Sequence, residues 1–293
     1  MQGVIAAVPT PVDSGMKPLK APFLEHCKWA LENGCDGLNI LGSTGEANSF
    51  DVGSRSQVMA WAAEAVPHTK LMVGTGTPSL AETIGLTIKA DDLGYPVALV
   101  LPPYYYKPLS NLGLKAWYLA LHEALGERSI QIYFYNFPQM TGLTLPVEMI
   151  AELALNLPDR FTGIKDSSGD LAYCRAIVAA APFLKVFPSS ETALQTAGDD
   201  GFAGCISASV NVTAPLAAQV WADRAKPSET VCTEIARQRG LIAGPALIPT
   251  IKYLVAERSG NLQWQRVLPP FVALDAKTGQ DLHQELDRSA SDL

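Results

Sequence analysis

The sequence lacks the features that mark membrane-spanning, secreted and nucleic-acid-binding proteins. None of its 293 residues belongs to an uninterrupted apolar run of about 18, so no transmembrane helix is expected. The first segment, MQGVIAAVPTPVDSG, has no basic region and is interrupted by Pro9 and Pro11, which argues against a signal peptide. The formal net charge is -7 and no run of lysine and arginine occurs. We therefore expect neither nucleic acid nor an anionic membrane as the main partner.

Cysteine and histidine are too sparse and scattered to indicate a disulfide framework or a metal site. The five cysteines are odd in number and show no CxxC spacing, which favours free thiols in a reducing compartment. The four histidines lie far apart in the sequence and do not suggest a zinc site. We therefore expect a cytoplasmic protein that uses no metal and no cofactor.

What the sequence does contain is a regular alternation of short apolar runs and longer amphipathic segments. This alternation is typical of repeated strand and helix units around a parallel sheet. The eight apolar runs fit a closed (β/α)8 barrel, or TIM barrel, better than an open doubly wound sheet, although periodicity alone leaves both open. The predicted strands cover residues 3–8, 37–41, 71–75, 97–102, 130–136, 161–165, 184–188 and 202–207.

The pattern changes after the eighth predicted strand. From about residue 225 the remaining segments, which include CTEIARQRGLI and PALIPTIKYLVAERSG, have helical character. No long linker separates them from the preceding residues. We predict a catalytic barrel over residues 1–224 and a C-terminal helical region over residues 225–293 that packs on the barrel.

Four unusual clusters fall at the carboxyl ends of predicted strands, where a barrel collects its active site. They are GSTGE (42–46), PPYYYKP (102–108), YNFPQMTG (135–142) and Lys165, which closes the sixth strand. In GSTGE two glycines flank two hydroxyls, so its backbone amides and side chains can bind an anionic oxygen. A tight turn is the simpler interpretation of that stretch when it is taken alone.

Lys165 is the strongest candidate for a reacting group. The run FTGIK is apolar up to the lysine, which places the amine inside the predicted barrel mouth, where desolvation favours the neutral form. A neutral amine can attack a ketone and form a Schiff base. Tyr135 ends the adjacent predicted strand and can transfer protons beside that imine, although an isolated tyrosine is more often a core residue. The carboxylate of a 2-oxo acid would fit GSTGE.

Taken in order, these motifs resemble the dihydrodipicolinate synthase / N-acetylneuraminate lyase family of Schiff-base-forming class I aldolases. The resemblance runs from AVPTPVD (7–13) through LGSTGEA, PPYYYKP, YNFP, GIKDSSGD and GCISASVN (204–211) to IPTIKYL, and covers nearly the whole chain. It implies a (β/α)8 barrel with a C-terminal helical extension, usually assembled as a homotetramer that is a dimer of dimers. Lys165 then matches the Schiff-base lysine and Tyr135 the proton-transferring tyrosine.

The resemblance also implies roles for residues around this pair. Ser43 and Thr44 match the two residues that hold the pyruvate carboxylate, and Thr44 also links the proton relay. Tyr105 matches a tyrosine that a neighbouring subunit contributes to that relay. Ile206 matches the position whose backbone carbonyl faces the bound keto acid.

Two positions bear on the substrate that the resemblance implies. In dihydrodipicolinate synthases an arginine binds the carboxylate of aspartate semialdehyde at the place of Met140, and a thioether cannot replace a bidentate cation. Lysine biosynthesis is therefore not expected. Glu191 matches an acidic residue with which neuraminate lyases bind sugar hydroxyls, but Ser190 replaces another acidic position. With Ser189 and Ser190, Glu191 is equally typical of a helix N-cap and first turn.

The sequence thus predicts a cofactor-independent class I lyase or aldolase that forms an imine with pyruvate or a longer 2-oxo acid. Candidate activities are a 2-keto-3-deoxy sugar acid aldolase, a related dehydratase and a 4-hydroxy-2-oxo acid aldolase, and the direction of reaction is open. The alternative is a non-catalytic protein that binds or senses 2-oxo acids. The presence of Lys165, Tyr135 and Thr44 together favours the enzyme.

Overall fold

Eight parallel strands form the sheet of this protein, for which a computed structural model describes residues 1–244 and 246–290. Every predicted strand is present and ends within two residues of its predicted limits. The strands are β1 (Gly3–Ala7), β2 (Gly37–Ile40), β3 (Leu71–Gly74), β4 (Val97–Val100), β5 (Gln131–Asn136), β6 (Phe161–Asp166), β7 (Lys185–Pro188) and β8 (Gly204–Ser207).

The sheet closes into a barrel because its two edge strands meet. Neighbouring strands follow the order β7-β6-β5-β4-β3-β2-β1-β8. Ala203, just before β8, donates its amide hydrogen bond to the carbonyl of Val186 in β7 over 2.9 Å. The (β/α)8 barrel is therefore confirmed, and the open doubly wound sheet is excluded.

Helices follow the strands around the outside of the barrel. Several begin where a polar side chain accepts a hydrogen bond from a free amide of the first turn, as Asp51, Ser79, Ser110 and Asp170 do. In the described ranges no helix is both long enough and apolar enough to cross a membrane. The helices are α1 (Lys20–Glu32), α2 (Val52–Ala65), α3 (Leu80–Asp92), α4 (Asn111–Leu125), α5 (Pro138–Thr141), α6 (Val147–Asn156), α7 (Leu171–Ala180), α8 (Ala197–Asp200), α9 (Val210–Ala222), α10 (Glu229–Ile242), α11 (Leu247–Ser259) and α12 (Ala276–Ala290).

Successive residues of each strand point alternately outwards and inwards. Outward residues such as Leu38 and Ile40 belong to the large core beneath the helices. Inward residues form a second cluster inside the barrel, which includes Tyr133, Tyr135 and Ile206. Because all strands are parallel, their carboxyl ends lie at one end of the barrel, where the predicted site residues meet.

After β8 the described chain contains no further strand, and the expected boundary near residue 225 falls between α9 and α10. Residues 245 and 291–293 of the predicted C-terminal region lie outside the described residues. Arg258 of α11 ties this region to the barrel helices. Its guanidinium donates to the carbonyl of Asn211 over 2.7 Å and lies 3.3 Å from the ring centre of Trp29.

His26 of α1 lies in a buried network beneath the same arginine. Its Nε2 hydrogen-bonds to Oδ1 of Asn211 at 2.8 Å, and its Nδ1 accepts from Nη2 of Arg258 at 2.7 Å. An accepting Nδ1 requires the neutral ring with its proton on Nε2. Burial, reinforced by the charge of Arg258 and opposed by the bond to Asn211, lowers the pKa of His26 to about 3.

We expect the free energy of unfolding to fall as the pH is lowered from about 6.5 towards 3, because there only the unfolded chain protonates His26. In this range each unit decrease in pH lowers the free energy of unfolding by up to about 1.4 kcal/mol through this one group. Urea unfolding at pH 6.5 and at pH 4.5 measures the loss. His26→Gln should reduce the difference by roughly 2 to 3 kcal/mol. An equal loss in the parent and His26→Gln would contradict this assignment.

Candidate active site

A cavity of about 330 Å³ lies at the carboxyl ends of the barrel strands. Five of the seven site residues that the sequence predicts line it, although they come from four different strands or the loops after them. These are Ser43, Thr44, Tyr135, Lys165 and Ile206. The structure therefore brings the predicted lysine, tyrosine and hydroxyl pair together in one cavity.

Lys165 and Tyr135 are direct neighbours across two strands. The β5–β6 register places Tyr135 opposite Lys165. The lysine is 4% exposed, and its Nζ lies 4.6 Å from the centre of the Tyr135 ring. An amine in this position is sheltered from bulk water yet faces the cavity, which is the placement that attack on a bound carbonyl requires.

The next residues on these two strands, Asn136 and Asp166, are hydrogen-bonded to each other. Asn136 donates from its Nδ2 to Oδ1 of Asp166 over 2.7 Å, and Ser168 donates to the other carboxylate oxygen from its hydroxyl and its amide. Burial raises the pKa of Asp166, while these hydrogen bonds oppose the rise. The bond between Asn136 and Asp166 joins the ends of β5 and β6 next to Tyr135 and Lys165. The sequence contains these polar residues, but it does not show that Asn136 and Asp166 meet, because that depends on the register of β5 and β6.

The GSTGE loop has free backbone donors at Ser43 and Thr44, two residues that line the cavity. The amides of Gly45 and Glu46 donate within the loop, but within residues 1–244 and 246–290 those of Ser43 and Thr44 donate no hydrogen bond. The loop lies close against β3, where a Cβ on Gly74 would come within 2.1 Å of the carbonyl oxygen of Leu41. Two free amides beside two hydroxyls suit the oxygens of a carboxylate.

The two hydroxyls of this loop differ in their relation to the phenol. The hydroxyl of Ser43 lies 3.4 Å from that of Tyr135. Thr44 is buried and lines the cavity, yet in the part of the chain that the structure describes it makes no hydrogen bond to Tyr135. The relay role expected for Thr44 therefore stays a prediction, and Ser43 is the hydroxyl that the geometry places beside the phenol.

Tyr105 does not join this cavity within one chain. Its side chain is 74% exposed and packs edge-on against that of Tyr106, with ring centres 5.3 Å apart. A tyrosine supplied by a neighbouring subunit would have to be exposed in the single chain, as Tyr105 is. Its contribution to a relay stays a prediction.

Glu191 lies behind the cavity wall and does not line it. Its side chain is fully buried, and its carboxylate accepts hydrogen bonds of 2.6 to 2.8 Å from Ser207, Ser209 and Thr213. Ser190 caps the short 3-10 turn that begins at Glu191 by accepting from the amide of Thr192, so the predicted N-cap is confirmed. The structure does not bring Glu191 into contact with the cavity, and its expected binding of sugar hydroxyls stays a prediction.

Arg239 is a site residue that the sequence did not reveal. It projects from α10, lines the cavity, and donates from Nη1 to Oε2 of Glu191 over 2.8 Å. The same nitrogen contacts the hydroxyl of Ser209 at 2.6 Å. Glu191 therefore fixes a guanidinium at the cavity wall. No local signal marks Arg239, because its helix carries several charges and only the tertiary structure brings one of them over the barrel mouth.

Part of the cavity lining is apolar. Met140 belongs to this part together with Phe137, Leu247, Ile248 and Phe271. The side chain of Met140 is 65% exposed, so it borders the opening of the cavity. Where the resemblance would place an arginine for a second carboxylate, this chain has a thioether, and the cavity instead has a guanidinium at Arg239.

The sequence matches the dihydrodipicolinate synthetase family over residues 1–289. Among curated proteins it is 31% identical, over 221 residues, to an uncharacterized DapA-like lyase of Chloroflexus aurantiacus, a match that covers 75% of this chain and 74% of the relative. It is 33% identical over 222 residues to the 4-hydroxy-tetrahydrodipicolinate synthase of Rhodospirillum centenum, with 75% and 74% covered.

The fold is likewise shared with solved structures. The crystal structure of dihydrodipicolinate synthase from Agrobacterium tumefaciens superposes with a TM-score of 0.89 at 26% sequence identity. The match covers 98% of this chain and 99% of that one, so barrel and C-terminal helices are both included.

Proposed function

The chain belongs to the dihydrodipicolinate synthetase family, and we propose that it is a Schiff-base-forming lyase or aldolase that acts on pyruvate or a longer 2-oxo acid. One observation carries the proposal. A 4% exposed lysine faces the cavity in register with Tyr135, and a loop with two free amides lines the same cavity. These groups match the two functional groups of a 2-oxo acid. The loop amides can donate hydrogen bonds to its carboxylate, and the lysine can attack its ketone.

The substrate carboxylate would lie against the GSTGE loop. The amides and hydroxyls of Ser43 and Thr44 offer four donors there. Ile206, a buried residue of β8, lines the same cavity, and its carbonyl is proposed to face the keto acid. This orientation directs the ketone carbon towards Nζ of Lys165.

Covalent catalysis would begin when Nζ of Lys165 attacks the ketone carbon C2. The resulting carbinolamine gains a proton on its hydroxyl and loses water, which leaves a protonated imine. In retro-aldol cleavage a base removes the proton of the C4 hydroxyl, the C3–C4 bond breaks, and its electron pair moves to the imine nitrogen. An aldehyde leaves, the enamine is protonated at C3, and water releases the new keto acid and the free amine.

Tyr135 is the proposed proton carrier in these steps, because its hydroxyl lies in the cavity beside Ser43 at 3.4 Å. A phenol can give a proton in one half-reaction and take it back in the other. We propose that Thr44 and the Tyr105 of a neighbouring subunit extend this relay, in a homotetramer built as a dimer of dimers. The exposed position of Tyr105 supports such a contribution.

The far end of the substrate would meet Arg239. This guanidinium lines the cavity with Ser167 and Ser189, whereas Met140, which also lines it, offers no cation. We therefore favour longer 2-oxo acids that carry hydroxyl or anionic groups, such as 2-keto-3-deoxy sugar acids, over aspartate semialdehyde. Aldol cleavage and dehydration both remain within this proposal.

Arg239→Met is expected to lower kcat/KM for hydroxylated or anionic 2-oxo acids by about 10- to 100-fold, the usual effect of losing a hydrogen bond to a charged group. Imine formation with pyruvate should change by less than about threefold, because a three-carbon acid would not extend to Arg239. Pyruvate thus serves as the internal control for folding of the site. Equal losses for pyruvate and the longer acids would contradict a role in binding the substrate tail.

The proposed activity is tested by borohydride reduction in the presence of pyruvate, followed by peptide mass analysis. Addition of one reduced pyruvate to Lys165 is the expected result. A retro-aldol and dehydration screen over 2-keto-3-deoxy acids of different length and stereochemistry then identifies the substrate. Modification of Lys165 without turnover of any 2-oxo acid would favour the binding or sensing protein, and no modification at all would overturn the proposal.

A further inference from the structure

The last residue of the GSTGE loop is held by the C-terminal helical region. The carboxylate of Glu46 lies 2.5 Å from Nζ of Lys252 in α11, and both side chains are fully buried. The other carboxylate oxygen accepts a hydrogen bond of 2.6 Å from the amide of Leu268. One side chain of the loop is therefore fixed at two points, both of which belong to the C-terminal region.

The backbone conformation of the loop explains why its ends must be restrained. Glu46 has φ of 55° and Leu41, at the other end of the loop, has φ of 52°. Both angles lie in the left-handed region, which residues with a Cβ rarely occupy and which persists only where the surroundings impose it. Thr10 restrains the same loop by donating to the carbonyl of Gly45 over 2.9 Å. Ser43 and Thr44, which line the cavity, lie between these points.

A gain in folding stability is a poor explanation for the presence of this buried ion pair. Burial lowers the pKa of Lys252, and the attraction of Glu46 only opposes that effect. Buried ion pairs often contribute no more to stability than well-packed apolar residues would, but a directed pair does fix geometry. The pair joins positions 206 residues apart in the sequence, so it couples the loop to α11 of the C-terminal region.

We propose that Glu46 and Lys252 are positioning residues, which hold the GSTGE loop so that Ser43 and Thr44 can bind the carboxylate of a 2-oxo acid. This inference rests on the proposed function. It assigns to α11 an influence on the affinity for the substrate carboxylate, exerted through the loop and separate from that of Arg239.

Two variants test the proposal. Lys252→Met removes the pair but leaves Glu46 buried without its cation. The double variant Glu46→Gln with Lys252→Met removes both charges and is expected to fold even where the single variant does not. Val255→Ala is the matched control, because it truncates a fully buried side chain about one turn further along the same helix. All three are compared with the parent by thermal unfolding.

The first measurement is the pyruvate concentration that gives half-maximal borohydride trapping. We expect it to rise about tenfold or more in both pair variants, while the limiting trapping rate stays within about threefold of the parent. Val255→Ala should lower the melting temperature without moving the half-saturation point. An unchanged half-saturation point in the pair variants, or the same shift in Val255→Ala, would overturn the proposal.

The second measurement does not depend on the activity. Hydrogen exchange of residues 41–50 should become at least about tenfold faster in both pair variants, with β6 unaffected, and should not change in Val255→Ala. If pyruvate is not trapped even by the parent, the proposed function fails, and exchange alone decides whether the pair holds the loop. Unaltered hydrogen exchange of residues 41–50 in the pair variants would show that the ion pair between Glu46 and Lys252 does not restrain the loop.

Discussion

Replacing Lys165 by alanine is expected to abolish borohydride trapping with pyruvate and to reduce turnover of any substrate to the detection limit. The reason is chemical, because Lys165 carries the only primary amine among the described residues that line the cavity. Lys165 is 4% exposed, lines the cavity and lies opposite Tyr135 in the β5–β6 register. Without its amine there is no covalent bond to a ketone and no nitrogen to accept the electron pair of the breaking bond. Mass analysis of the trapped protein measures this loss directly.

Two further variants separate chemistry from packing in this experiment. Lys165→Met keeps a long apolar stem and should lose trapping as completely as Lys165→Ala, even if the cavity is better filled. Lys89→Ala removes an exposed lysine of α3 and should trap pyruvate like the parent. Label found on a different lysine, or trapping that survives in Lys165→Met, would show that Lys165 is not the reacting amine.

The second large effect is expected for Tyr135→Phe. Turnover should fall by roughly 10²- to 10⁴-fold, the usual contribution of a general acid or base. The pyruvate concentration for half-maximal trapping should change far less, because the carboxylate donors of the GSTGE loop are untouched. The ring itself remains, so its packing beside Phe137, with ring centres 5.7 Å apart, is retained. Steady-state kinetics with the substrate found in the screen, together with trapping, distinguishes the two effects.

Tyr133 provides a matched control on the same strand. It is also fully buried inside the barrel, and its hydroxyl has no hydrogen-bond partner within the described residues. Burial raises the pKa of Tyr133, so this phenol stays protonated. Tyr133→Phe should therefore leave turnover within about twofold and is expected to be neutral or slightly stabilising, since an unpaired buried hydroxyl is lost. Equal turnover in Tyr135→Phe and Tyr133→Phe would remove the proton-transfer role from Tyr135.

Much of this site could be predicted from the sequence because its main parts end strands. Apolar runs of strand length identify the strands, parallel connection places their carboxyl ends together, and consecutive strands are usually neighbours. Tyr135 and Lys165 end consecutive strands and therefore meet. The loop of Ser43 and Thr44 follows β2 and reaches the same cavity for the same reason.

The remaining features depend on contacts between distant parts of the chain. Within GSTGE the sequence cannot show which hydroxyl approaches Tyr135, because that depends on the left-handed residues at Leu41 and Glu46. It cannot show that Glu191 turns away from the cavity towards hydroxyls of β8 and α9, or that Arg239 takes its place at the wall.

The sequence by itself determined the order of strands and helices, the end of the barrel that carries the site, and the pairing of a lysine with a tyrosine. The elements follow from periodicities along the chain, and the other two follow because consecutive parallel strands are usually neighbours with their carboxyl ends together. The tertiary structure alone decided how the C-terminal helices lie over the barrel. That packing brings Arg239 to the cavity and Lys252 to Glu46, and it arises from the combined burial of many side chains whose partners are far away in the sequence.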